Sequence, residues 1–259
     1  MARSVFYYHR KKLNVDDKYK HEKKTIIRIY HLHKGRYGYR RITAEMRNLG
    51  YKLNHKTVQR LMGVLGLKCK IREVRYRSYK GEVGKIAPNI LERNFKANLP
   101  NQKWATDVTQ IKIKNEKRYF SPILDMFNGE IIAYSISKSP NMQMINEMLG
   151  MAFDKVQNTN GLILHSDQGW QYQHYGYRKA LSERGIIQSM SRKGNCLDNA
   201  MAENFFGIMK SELLYAEDFE TVNDFVKSLE QYIDYYNNQR IKNKLNGKSP
   251  VQYRAQYKI

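Results

Sequence analysis

Three carboxylates in this chain sit where a fold of mixed strands and helices builds its sites. Asp107 lies within WATDVTQIKI (104–113), an alternating, β-branched run that reads as one strand and in which aspartate is a misfit by propensity. Asp167 closes GLILHSD (161–167), a short, nearly all-apolar strand of the kind buried on both faces. Glu203 falls in the first turns of a helix that Asp198 or Asn199 opens and that runs to about Tyr215. Strand ends and helix starts are where an α/β sheet gathers functional groups. A carboxylate desolvated there needs a partner. A shared divalent cation supplies one, and carboxylate oxygens suit Mg2+ or Mn2+. Two such ions clamp the attacking and leaving oxygens of an in-line phosphoryl transfer. With 24 acidic residues in the chain, each of the three taken alone reads far more often as a cap, a turn or a surface residue than as a ligand.

Other groupings carry less. His165, Ser166 and Asp167 do not make a hydrolase triad, because successive strand residues point to opposite faces. His165 does share a face with Asp167, either beside the carboxylates or as a packed core histidine. His31, His33 and Cys69 lack the spacing and the ligand count of a zinc module. Cys69 and Cys196 stand far apart with no CxxC pairing, which excludes a disulfide scaffold. Asp125 reads as a turn-entry residue, Asn195, Asp198 and Asn199 as caps and loop-shapers, and Trp104 and Tyr172 as packing residues. Trp170, in a Gly-flanked turn, is read as packing, with stacking on a base as the alternative.

The elements that would position these groups follow from periodicity. After 104–113 come a strand at 118–127, an Asn128-Gly129 hairpin turn and a strand at 130–137. A helix at 141–156, the buried strand, a helix from His174, a short strand IIQSM, the Glu203 helix and a last helix over 221–236 complete the order. That order predicts an α/β architecture, a mixed sheet flanked by helices. Residues 1–100 are different in kind: they hold 26 Lys+Arg against 7 Asp+Glu, whereas residues 101–259 hold 20 against 17. A block this basic attracts polyanions, nucleic acid above all. Within it, helical stripes over 19–33, 39–50 and, after an Asn54 N-cap, 55–65 predict a small all-α helix-turn-helix region. Its last helix presents His55, Lys56, Gln59 and Arg60. Residues 71–100 read as a basic linker whose Arg72, Arg75, Arg77 and Lys80 track a phosphate backbone or simply face solvent. No apolar run reaches the roughly 18 residues of a membrane span. Met1–Lys12 lacks the apolar centre of a signal peptide, so a cytoplasmic protein without membrane attachment is expected.

Four strings in order, WATDVT, LHSDQGWQY, SMSRKGNCLDNAMAENFFGIMKSELLY and YIDYYNNQRIKNKLNGKSPVQY, give the chain a resemblance. It resembles the DDE transposases of bacterial insertion sequences, closest to the catalytic, second-frame product of the two-frame insertion-sequence-three type, which is similar to retroviral integrases. The resemblance covers about residues 20–257, and the 35 residues between Asp167 and Glu203 match that family's spacing. It implies a ribonuclease-H-like catalytic core over 101–220, between a lead-in (1–18), the helix-turn-helix region (19–70) and linker (71–100) on one side and a C-terminal helical extension (221–259) on the other. It implies that Asp107, Asp167 and Glu203 bind two Mg2+ ions. Lys210, seven positions after Glu203 and so on the same helix flank, would contact DNA phosphate or steady developing charge. The implied reaction is cleavage and strand transfer at insertion-sequence ends. The implied partners are double-stranded DNA (element ends and target), a first-frame product or a frame fusion with it, and further copies of the chain on DNA. The implied location is the bacterial nucleoid. Two other readings stand beside this one: a sequence-specific DNA-binding regulator with a non-catalytic α/β domain, and a plain metal-dependent nuclease.

Overall fold

The apolar stripes of the basic region close into three helices, α1 (Lys20–Leu32), α2 (Tyr39–Asn48) and α3 (His55–Val64). The computed structural model describes residues 17–69, 86–192 and 196–257, with Arg3, Ser4 and Tyr7, and divides the chain into two units, 1–70 and 71–259. In the first unit Ile26 and Ile29, Ile42 and Met46, and Val58, Leu61 and Met62 are buried, as the helical spacing requires. Asn54 caps α3 as expected: its backbone is extended and its side chain accepts the Lys56 N–H at 2.9 Å. Gly50 ends α2 at φ +89, left-handed backbone that glycine adopts without a Cβ penalty. The Tyr51 N–H can then reach back to the Met46 carbonyl at 2.9 Å.

In the second unit the run 104–113 is not one strand but two, β1 (Lys103–Thr106) and β2 (Thr109–Ile113), both antiparallel to β3 (Glu116–Asp125). Asp107 therefore lies at a break rather than within a strand, and β3 shows why. Thr106 faces Ile123 and Thr109 faces Phe120, so the register is continuous and Asp107 stands opposite Pro122. The Met126 N–H donates to the Lys103 carbonyl at 2.9 Å. Alternate residues of β3 counted back from Met126, Pro122 among them, thus turn their backbone nitrogens toward β1 and β2. Pro122 has no N–H to give, and the ladder opens where aspartate needs it open.

β3 pairs on its other side with β4 (Ile131–Ser137). β1 pairs in parallel with β5 (Ile163–Ser166), and β5 in parallel with β6 (Ile187–Met190). With β1 and β2 as halves of one line, the order is β4-β3-β1/β2-β5-β6, a mixed sheet. Helices α4 (Met142–Lys155) and α6 (Tyr175–Glu183) cover one face, burying Trp104, Ile145, Met148, Leu164 and Tyr177; the one-turn α5 (Trp170–Gln173) links β5 to α6. Helices α7 (Ala200–Met209) and α8 (Val222–Asn238) cover the other, with Phe120, Phe205, Phe225 and Leu229 at the contact. A short α9 (Pro250–Arg254) follows.

The helix expected from Asp198 or Asn199 to about Tyr215 has those bounds, with Asn199 at the N-cap position and Tyr215 at the C-cap, but it lacks a side-chain cap and is not plain α-helix throughout. Asp198 lies in a 3-10 turn (Cys196–Asn199) and spends its carboxylate on arginines, and Asn199 makes no side-chain cap bond. After Met209 the chain widens into a π-turn, Lys210–Leu214, in which the Tyr215 N–H bonds the Lys210 carbonyl at 2.8 Å. Among the described residues no helix is long and apolar enough to cross a membrane.

Candidate active site

Parallel pairing of β1 with β5 sets the centre of the site. Lys103 lies beside Ile163 and Ala105 beside His165. Carried two residues further, the same register brings Asp107 and Asp167 out side by side, from strands about 4.8 Å apart. Each carboxylate is steadied by its own turn: Asp107 Oδ1 accepts the Val108 N–H at 2.7 Å, and Asp167 Oδ1 the Gly169 N–H at 2.9 Å. On this face Ala105, Ile163 and Met201 pack together, which lays the first turn of α7, with Glu203, against the strand ends. Lys210 follows Glu203 by two helical turns on the same flank.

Asp107 senses the other three groups. Desolvation lifts the Asp107 carboxyl well above its usual range, and the charges of Asp167 and Glu203 lift it further. The Val108 N–H and the Lys210 ammonium act in the opposite sense. Burial also raises Asp167, against its Gly169 hydrogen bond. Burial lowers Lys210, opposed by the charge of Asp107. Among the described residues no three His, Cys, Asp or Glu side chains are gathered closely enough to hold a metal ion as they stand. The donor set of three carboxylates is nonetheless all oxygen, which is the chemistry that a hard divalent cation fits.

The walls of the site are packed. Tyr172 is fully buried and meets Tyr177 edge-on at 5.3 Å. Burial, then the charges of Asp107 and Asp167, keep its phenol protonated. A Cβ at Gly169 would stand 2.7 Å from Gln171 Oε1, 3.0 Å from Asp167 Oδ1 and 3.3 Å from Tyr172 Cδ2, so a side chain there would press on the carboxylate. Trp104 is fully buried like Tyr172, whereas Trp170, three residues after Asp167, is 53% exposed.

The remaining expected residues sort clearly. His165 is a packed core histidine, hydrogen-bonded through Nδ1 to Ser189 Oγ at 2.8 Å and through Nε2 to Ser191 Oγ at 3.3 Å. Burial pushes its pKa down to about 4. His33 stacks on Tyr37 at 3.8 Å, and Cys69 donates to the Arg36 carbonyl, so neither points to a metal. Asp125 accepts the Phe127 N–H at 3.0 Å, the turn-entry bond expected, and also pairs with Arg254. Asn195 lies outside the described residues. His55, Lys56, Gln59 and Arg60 are all exposed on α3, with the Arg60 guanidinium 5.5 Å from the Tyr19 ring centre. Arg72, Arg75, Arg77 and Lys80 lie outside the described residues.

Two supports of the site were not legible as such. Asp198, inaccessible to solvent, accepts from the Arg192 backbone and guanidinium, from Arg93 Nε and from Asn89, and the Arg192 bonds hold its carboxyl far below the usual range. Asn199 Nδ2 donates to the Thr106 carbonyl at 3.4 Å, tying the start of the Glu203 helix to the strand that delivers Asp107.

Comparison with known proteins bears on these features. An integrase core domain family matches residues 97–196, a second integrase core family residues 203–257, and an HTH-like domain family residues 17–75. The chain is 53% identical over 256 residues to InsK of insertion sequence element IS150 from Escherichia coli, spanning 99% of this chain and 90% of that protein. It is 37% identical over 227 residues to the transposase for insertion sequence element IS904 of Lactococcus lactis, spanning 87% and 90%. Among solved structures, a simian T-cell lymphotropic virus intasome chain shares the fold at a TM-score of 0.51 and 16% identity, over 88% of this chain and 74% of that one.

Proposed function

The chain belongs to the insertion-sequence-three family of DNA transposases, polynucleotidyl transferases with a ribonuclease-H-like integrase core, and on that premise we propose that Asp107, Asp167 and Glu203 are its catalytic carboxylates. The observation that carries this reading is the in-register emergence of Asp107 and Asp167 from adjacent parallel strands, on the face where α7 brings Glu203. The reading of the α/β unit as the inert scaffold of a regulator is not favoured, since the relatives are transposases.

In this proposal the three carboxylates hold two Mg2+ ions, with Mn2+ as a substitute. The ions, when bound, lower the pKa of the attacking water, orient the 3′-OH and balance charge on the leaving oxygen. Asp107 and Asp167 are kept in place by the Val108 and Gly169 amides, and Glu203 by the anchored start of α7. Lys210 places an ammonium at the rim, where it meets the phosphate that the carboxylates would repel. Water displaces the 3′ oxygen at a phosphodiester at the element end, freeing a 3′-OH. That 3′-OH then attacks a second phosphodiester and expels its 3′ oxygen, so one bond forms for each that breaks and no covalent enzyme intermediate is needed. The helix-turn-helix unit reads element ends through His55, Lys56, Gln59 and Arg60, and Arg72, Arg75, Arg77 and Lys80 follow the backbone. Target DNA, a first-frame partner or frame fusion, and further copies of this chain complete the assembly, on the nucleoid in the cytoplasm.

The test is a joining assay with a labelled duplex that carries the element end, in Mg2+ and with the partner product present. Joined strands are expected; ends that are hydrolysed but never joined would make the protein a nuclease instead. The α3 assignment has its own test. Lys56→Glu with Arg60→Glu is expected to weaken end binding about tenfold or more at moderate salt. The slope of log affinity against log salt should become shallower by about 2, as two phosphate contacts are lost. Unchanged affinity in a filter-binding titration would remove α3 from the DNA interface.

A further inference from the structure

Glu212 and Arg240 have no part in the chemistry above, yet they form a buried, bidentate ion pair across 28 positions of sequence. Arg240, 2% exposed, donates from Nε to Glu212 Oε2 at 2.8 Å and from a terminal nitrogen to Oε1 at 2.6 Å. The Tyr232 hydroxyl donates to Oε2 at 3.0 Å. The guanidinium also lies 5.5 Å from the Tyr236 ring centre, and Tyr236 meets Phe205 of α7 edge-on at 5.0 Å. Stability is a poor reason for such a pair. The cost of desolvating both ions commonly cancels their attraction, and well-packed apolar residues of similar volume often serve as well or better. What the pair can do that apolar contacts cannot is fix one orientation through two directed bonds.

The thing it orients is the π-turn. Glu212 sits at the middle of Lys210–Leu214, and the carbonyl that closes this turn, bonded by the Tyr215 N–H, belongs to Lys210. A π-turn carries one residue more than the α-turn it replaces and persists only where its surroundings hold it. Relaxation to plain α-helix would shift everything after the junction by one position, about 100° of rotation. Either Leu213, 1% exposed, leaves the core, or, with Leu213 held there, the end of α7 that bears Lys210 takes up the rotation. We propose that Glu212 and Arg240 are positioning residues for Lys210: the bidentate pair locks the π-turn, so strand transfer depends on a contact made just after the end of α8. The proposal rests on the catalytic reading of Lys210.

The experiment uses the full chain. The double variant Glu212→Leu/Arg240→Met preserves volume and leaves no lone charge, and Arg240→Lys keeps the charge but loses the fork. The double variant is expected to melt within a few degrees of the wild type and to keep KM for end DNA. Its kcat for joining should fall about a hundredfold, the scale of a 1 Å misplacement. Arg240→Lys should fall less, at the same KM. Adding the double change to Lys210→Ala should cost nothing further, since both act through one group. A folded double variant with wild-type kcat overturns the proposal. If the double variant does not fold, Arg240→Lys decides: wild-type kcat overturns the proposal and a lower kcat at unchanged KM supports it. Wild-type kcat in Lys210→Ala instead rejects the role of Lys210 itself. Loss there beside wild-type kcat in the folded double variant rejects only the positioning pair.

Discussion

Asp167→Asn is expected to abolish Mg2+-dependent nicking and joining, by on the order of a thousandfold or more, while end-DNA affinity stays within a few-fold of wild type. The asymmetry follows from where the two tasks sit. The basic charge that attracts DNA lies in residues 1–100, and the acidic site lies in a core whose charges nearly balance. The substitution is also quiet structurally. An Asn side-chain oxygen still accepts the Gly169 N–H that Asp167 Oδ1 accepts at 2.9 Å, so the turn into α5 keeps its shape. What disappears is one negative charge beside Asp107. Nicking and joining are read on a denaturing gel and affinity by gel shift, on the same protein sample. Mg2+-dependent joining within tenfold of wild type would remove Asp167 from the chemistry.

The parts of this site that were legible in the sequence are those fixed by local rules. The Asn54 cap, the Gly50 stop and the apolar stripes of the three N-terminal helices depend on neighbours a few residues away, and they stand where the spacing put them. The order of elements along the chain and a mixed sheet flanked by helices followed from period and turn chemistry in the same way. Asp107 marks the limit. Its misfit in a strand was visible, but the cause lies fifteen residues on: a strand proline facing the aspartate across the ladder, which only the register reveals. The usual rule that proline marks an edge strand would have argued against β3, which is paired on both sides. The same holds for Asp198, which looked like a helix cap because caps are local. Its arginine partners include Arg93, 105 residues away, and no short-range pattern carries that information. The π-turn at Lys210 is hidden for a related reason. KSELL has ordinary helix propensity, and the turn exists because Arg240 and Tyr232, far along the chain, make a place for Glu212.

Asp107→Asn is expected to raise the melting temperature of the protein while removing its activity, and Mg2+ is expected to stabilise the wild type much more than the variant. Desolvation, reinforced by Asp167 and Glu203, holds this carboxyl above its ordinary pKa. A carboxyl whose native pKa stands above its unfolded value binds the proton more tightly when folded. Stability then falls as pH rises from the ordinary carboxylate range through the native pKa, and the loss persists at neutral pH. Without a cation, Asp107, buried within reach of the charges of Asp167 and Glu203, is a strain on the fold, and asparagine relieves it while keeping an oxygen for the Val108 N–H. The variant should melt higher at pH 7.5, by about 2–4 °C for each kcal/mol relieved in a domain of this size, and the gap should close near pH 4 as the wild-type carboxyls protonate. A divalent cation relieves the same repulsion by binding only the folded form. At a hundred times its Kd this adds about 2.7 kcal/mol, a rise of roughly 5–10 °C in the wild type that EDTA should reverse. Thermal melts with and without Mg2+, for both proteins, read every part of this argument at once. A variant that melts below the wild type at neutral pH, or a wild type indifferent to both Mg2+ and Mn2+, would mean that these carboxylates do not share one cation site, and the metal-dependent mechanism would lose its physical basis.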